Sequence, residues 1–145
     1  MLGRYFGAVC PSQLPARKKM KLRILVVEDD RLFRYMLKDW LENEGFETIL
    51  AATLEEGFLG IATEPLPDAV LLDIHLRDKN GLTLVHWVRR QKHLAHIPIA
   101  AVTGANTLKD RKSSHDAGCD AHFTKPIDFA ELRKFLVSQT VHLVR

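Results

Sequence analysis

The stretch AVLLDIHLRDKNGL, residues 69–82, sets an aspartate, Asp73, directly behind four apolar residues. A short flat apolar run of this kind reads as a strand buried on both faces. A carboxylate at its end must be compensated, because an ionised Asp gives up water only in exchange for charge or hydrogen bonds. Helix-period Leu82, Val85 and Val88 follow, so Asn80-Gly81 is not read as a hairpin turn between two strands. The unit is strand, loop, helix.

The same alternation extends in both directions. LRILVV (22–27) and PIAAV (98–102) are further buried strands, with weaker candidates at ETILA (47–51) and AHF (121–123). Leu32, Phe33, Met36, Leu37, Trp40 and Leu41 recur at helical spacing and stop before Gly45. Thr53 to Glu56 opens a second helix as a capping box, and Asp128 to Glu131 caps a last one with Phe129, Leu132, Phe135 and Leu136 inward. NTLKDRKSSHDAG (106–118) has only Leu108 and Ala117 as apolar anchors, so its helix is expected to be the least stable. Strands alternating with helices imply right-handed crossovers and a parallel sheet covered on both sides.

The chain has 145 residues, 46% of them hydrophobic, enough for one domain with a substantial core. Its net charge of +3 is misleading. Arg4, Arg17, Lys18, Lys19 and Lys21 face no acid before residue 22, which leaves residues 22–145 at −2. The basicity belongs to a leader, and a nucleic-acid-binding domain is poorly supported. The expected organisation is a disordered basic leader over 1–20, one domain over 21–140 and a short tail over 141–145. Cys10 and Cys119 have no paired spacing, which fits a reducing cytoplasm, and no apolar run approaches the roughly 20 residues that span a bilayer.

Ligands in open parallel sheets bind beyond the carboxyl ends of the strands. Those ends read Glu28-Asp29-Asp30, Asp73, Thr103 and Lys125. In the order 2-1-3-4-5 the first and third strands are neighbours, so Asp73 meets the acid triplet. Two carboxylates about 5 Å apart repel by roughly 3 kcal/mol at an effective dielectric of 20. A hard divalent cation such as Mg²⁺, with the Lys125 ammonium, would bring that crowd near neutrality. Thr103 adds a hydroxyl donor, and Asp30 is expected to be only a helix N-cap. Taken singly, each residue has an ordinary explanation as a cap, a turn hydroxyl or a solvated lysine; together they suit phosphoryl transfer to Asp73.

ILVVEDD (24–30), LLDIHLRDKNGL (71–82), IPIAAVTGAN (97–106) and AGCDAHFTKPID (117–128) resemble, in order and spacing, the receiver domain of response regulators in two-component and phosphorelay signalling. The resemblance implies a flavodoxin-like (βα)5 three-layer α/β sandwich with strand order 2-1-3-4-5. It implies that Asp73 is the phosphoacceptor, served by a phosphohistidine on a sensor histidine kinase or phosphotransfer protein. Glu28, Asp29, Asp73 and the backbone carbonyl of His75 would hold Mg²⁺, Thr103 and Lys125 would bind the phosphoryl oxygens, and the Lys125-Pro126 bond would be cis. The output surface would be the fourth helix with the fifth strand and helix, recognised by a downstream protein.

Three positions depart from the family pattern. Arg77 stands for a proline in the loop after the acceptor strand, and Gly104 for the small alanine after the threonine. His122 occupies the place of the aromatic switch residue, either as a ring that rotates inward when Thr103 moves or as an exposed strand histidine. The alternative function is an Mg²⁺-dependent aspartyl-phosphate phosphatase of the haloacid-dehalogenase kind. Such an enzyme wants a second Asp two residues after the first, where this chain has His75.

Overall fold

The computed structural model describes residues 21–104 and 107–140; the expected leader and tail lie outside the described residues. In chain order its strands are β1 (Arg23–Val27), β2 (Glu47–Ala51), β3 (Ala69–Leu72), β4 (His75–Leu76), β5 (Lys79–Asn80), β6 (Ile99–Thr103) and β7 (Ala121–Thr124). All except β4 and β5 run parallel in one sheet of order β2-β1-β3-β6-β7. Counted alone, the strands of this sheet give the expected 2-1-3-4-5. Helices α1 (Arg31–Asn43), α2 (Leu54–Ala62), α3 (Leu82–Arg89), α4 (Leu108–Ala117) and α5 (Phe129–Thr140) cover it. No helix among the described residues is long and apolar enough to cross a membrane.

Because side chains alternate along a strand, each central strand supplies two cores. Leu25, Val27, Val70, Leu72, Ile99 and Ala101 face α2, α3 and Ala117 of α4. Ile24, Val26, Leu71, Ala100 and Val102 face α1 and α5 through Leu37, Leu41, Leu132 and Leu136. Fully burying one such side chain contributes about 1.5–3 kcal/mol.

The helix ends follow the expected signals. Asp30 Oδ1 accepts from the backbone N–H groups of Leu32 and Phe33, which makes it the α1 cap. Thr53 caps α2 by accepting from the Glu56 N–H at 3.1 Å. The Glu56 carboxylate accepts from the Ala52 N–H at 2.7 Å and not from that of Thr53, so the expected capping box is only half formed. The first helix departs from its periodicity in one respect. Leu37 and Leu41 are buried, but Leu32 is 84% exposed and Met36 43% exposed, so the apolar pattern is wider than the buried stripe.

Between β3 and α3 lies an element that the sequence did not reveal, the two-residue antiparallel ladder of β4 with β5. It turns at Arg77-Asp78, with Arg77 at φ 59°, a conformation uncommon outside glycine. Gly81 then brings the chain back against the end of β3. A Cβ there would lie 2.3 Å from the Asp73 carbonyl oxygen, so only glycine fits without backbone movement.

α4 is nearly polar throughout, and its buried residues are Ser114 and Ala117. Its second apolar candidate, Leu108, is 86% exposed. Hydrogen exchange should therefore show α4 amides opening before those of α3, which buries Leu82, Leu84, Val85 and Val88. Equal protection would contradict the polar anchoring. Gly81→Ala should cost about 1–3 kcal/mol of unfolding free energy by overpacking, measured by urea denaturation.

Candidate functional site

Strand register puts the acids together. Val27 pairs with Leu72 across β1 and β3, so the next residues, Glu28 and Asp73, leave the sheet side by side. The Asp73 N–H donates to the Val27 carbonyl at 2.9 Å, which fixes that level. Thr103 ends β6 opposite Thr124 of β7, and the Lys125 N–H donates to the Thr103 carbonyl at 3.0 Å. Four strand ends thus converge on one rim.

Glu28 is 2% exposed and Asp73 is 6% exposed, which is rare for carboxylates and calls for compensation. Lys125 provides it. Its Nζ donates to Glu28 Oε1 at 2.8 Å and to Asp73 Oδ2 at 3.1 Å, and lies 4.3 Å from the centre of the Phe33 ring. The remaining oxygens are taken by the backbone: Glu28 Oε2 accepts from the Asp30 N–H at 3.0 Å and Asp73 Oδ1 from the His75 N–H at 3.0 Å. Arg34 ties the same loop down, donating to the carbonyls of Glu28 at 2.9 Å and Asp29 at 3.3 Å.

One ammonium does not balance the site. Ligand oxygens of Glu28, Asp29 and Asp73 all lie within 4.8 Å of one another. Burial, assisted by the Asp73 charge, pushes the Glu28 carboxyl up to about 7, although the Lys125 and Asp30 hydrogen bonds pull the other way. Burial alone would lower the Lys125 ammonium, but the Glu28 bond and the Asp73 charge outweigh it and hold the group above its ordinary value. The donor set is all-oxygen, anionic and only partly neutralised, which fits a hard divalent cation.

The other expected residues are placed as follows. Thr103 is 1% exposed at the rim. His75 has an exposed ring whose Nε2 is 3.9 Å from Asp110 Oδ1 of α4. His122 is half-buried, not an exposed strand histidine, and its Nδ1 lies 2.9 Å from Ser114 Oγ. Gly104 is exposed, and a Cβ added there would meet nothing within 4 Å, so the position does not demand glycine for space. The Lys125-Pro126 bond is cis. Sequence reading missed Ser114 and Arg34, because a serine inside a polar helix and an arginine in the first turn of α1 carry no local signal of their distant partners.

The fold and this rim define a (βα)5 module with an acidic pocket at the carboxyl ends of its strands. Residues 24–137 match the family model described as the response regulator receiver domain, and the chain belongs to that family. It is 35% identical over 108 residues to the polar-differentiation response regulator DivK of Brucella ovis, covering 74% of this chain and 87% of that protein. A CheY-like response regulator receiver domain protein from Methanospirillum hungatei superposes with a TM-score of 0.73 at 32% identity, covering 84% of this chain and 98% of that one. A putative response regulator from Chloroflexus aurantiacus superposes with a TM-score of 0.77 at 28% identity, covering 83% and 98%.

The raised Glu28 carboxyl has a measurable sign. Between pH 4.5 and about 7 the folded protein keeps a proton on Glu28 that the unfolded chain has lost. Without divalent cation, this group's contribution to stability is therefore fully present below pH 4.5 and lost as pH rises through about 7. Thermal unfolding should show a fall on the order of 2 kcal/mol that is absent from Glu28→Gln. Added Mg²⁺ should recover it at about pH 8, above the titration, and a rise in place of the fall would refute the assignment.

Proposed function

We propose that the chain is a phosphoacceptor switch in which Asp73 takes a phosphoryl group from a phosphohistidine of a sensor kinase or phosphotransfer protein. The observation that carries this reading is the Lys125 ammonium bridging Glu28 and Asp73 at a rim with surplus negative charge. Family membership supports the general role in signalling.

Asp73 Oδ2 is held by a lysine and Oδ1 by a backbone N–H, so the carboxylate is fixed in position before a donor arrives. In-line attack forms the bond from an Asp73 oxygen to phosphorus while the donor nitrogen leaves, and Asp73 becomes an acyl phosphate. Glu28, Asp29, Asp73 and the His75 carbonyl would hold Mg²⁺, which when bound supplies positive charge to the equatorial oxygens. Lys125 then moves its charge toward the phosphoryl group and Thr103 offers its hydroxyl, both acting where negative charge accumulates. The α4, β7 and α5 surface is the readout, since α4 is the helix with least apolar anchoring.

Protein mixed with Mg²⁺ and acetyl phosphate should gain one phosphoryl group, mapped by mass spectrometry after borohydride trapping to Asp73. Asp73→Asn should take up none, and Lys125→Ala should slow labelling about 10²-fold. Uptake by Asp73→Asn at the wild-type level would end the proposal.

A further inference from the structure

The attachment of α4 to the sheet rests on polar contacts rather than on an apolar stripe, and one of them, between Ser114 and His122, lies beside Thr103. Ala101 pairs with His122 across β6 and β7, and Thr103 lies two residues beyond Ala101. Thr103 and His122 therefore share a face as diagonal neighbours. That face is the one α4 covers, since Ala101 and Ala117 belong to the same core. There His122 Nδ1 meets Ser114 Oγ at 2.9 Å, and Ser114 is 1% exposed.

The direction of the hydrogen bond follows from proton counting. Ser114 Oγ also lies 3.0 Å from the Arg111 carbonyl oxygen, as donor to it. A carbonyl cannot donate, so the single hydroxyl proton of Ser114 belongs to that contact. With both contacts made as hydrogen bonds, the 2.9 Å contact takes its proton from the ring, which assigns His122 the Nδ1–H tautomer.

We propose that Ser114 is a positioning residue for the switch: by accepting from His122 it holds the ring against α4 and makes α4 follow the ring when Thr103 moves. This rests on the phosphoacceptor reading and adds the partner through which the signal leaves the sheet. Ala117 is the buried apolar residue of α4. The helix is also tied by Arg111, which donates to Thr124 Oγ1 of β7 at 3.3 Å, and at its C-cap by Arg89, which donates to the Gly118 carbonyl at 2.9 Å. Of these contacts the Ser114 bond is the one made to the ring beside Thr103. At its other end α4 approaches the loop after β3, where His75 Nε2 lies 3.9 Å from Asp110 Oδ1, and Asp110 closes the capping box with Thr107.

The test uses nitrogen-15-labelled full chain and beryllofluoride with Mg²⁺ as the probe. In the wild type, imidazole correlations should show His122 as the Nδ1–H tautomer, and the probe should shift Thr103, Gly104 and the α4 amides. Ser114→Ala should move the ring toward the Nε2–H tautomer and reduce the α4 response about threefold while Thr103 and Gly104 still respond. Ser114→Thr, which keeps the hydroxyl, should restore both signatures. Should Ser114→Ala fail to fold, His122→Phe, a ring without a donor, should show the same loss at α4. An Nε2–H ring in the wild type, or an undiminished α4 response in Ser114→Ala, overturns the proposal. If the probe shifts neither Thr103 nor α4 in the wild type, the phosphoacceptor reading has failed and the relay with it, a pattern distinct from failure of the relay alone.

Discussion

The ammonium of Lys125 sits between two buried carboxylates, and the rim of the sheet is organised around that contact. It joins the end of β7 to the ends of β1 and β3 across 97 and 52 residues of sequence. Its stabilising effect is incomplete by construction. One positive charge faces Glu28, Asp73 and the nearby Asp29, and burial, with the Asp73 charge adding to it, holds the Glu28 carboxyl above its ordinary value. A site left in that condition attracts cations, and it resists being filled by anything without compensating charge.

The two faces of the sheet are held differently. α1 and α5 bury leucines against β1, β3 and β6 and are braced at their ends, where Arg133 makes a bidentate pair with Glu44 at 2.7 Å and stacks over Trp40. α2 and α3 are similarly apolar. α4 is the exception, fastened by Ala117, by the Ser114–His122 contact and by Arg111, which donates to Thr124 Oγ1 at 3.3 Å. Hydrogen bonds of this kind are worth about 1 kcal/mol each, against about 1.5–3 kcal/mol for each fully buried leucine or isoleucine side chain. α4 is thus the helix that a small local displacement moves most readily.

Much of the fold was legible because its signals are local and periodic. The flat runs 24–27, 69–72 and 99–103 have no face left for water, which only a doubly covered parallel sheet accommodates. Caps at Asp30, Thr53 and Asp128 depend on residues two or three positions away. The β4–β5 ladder was not legible, because Arg77 gives no hint that it will adopt a positive φ. The exposed Leu32 and Met36 show the converse, a periodicity that overstates the buried stripe.

By itself, the sequence determined which residues end the strands, and so which chemical groups reach the rim: alternation and capping act over a few residues and leave little choice. Only the tertiary structure decided how those groups meet. The level pairing of Val27 with Leu72, the reach of Lys125 to both carboxylates and the engagement of His122 with Ser114 depend on strand register and helix placement, which no local pattern encodes.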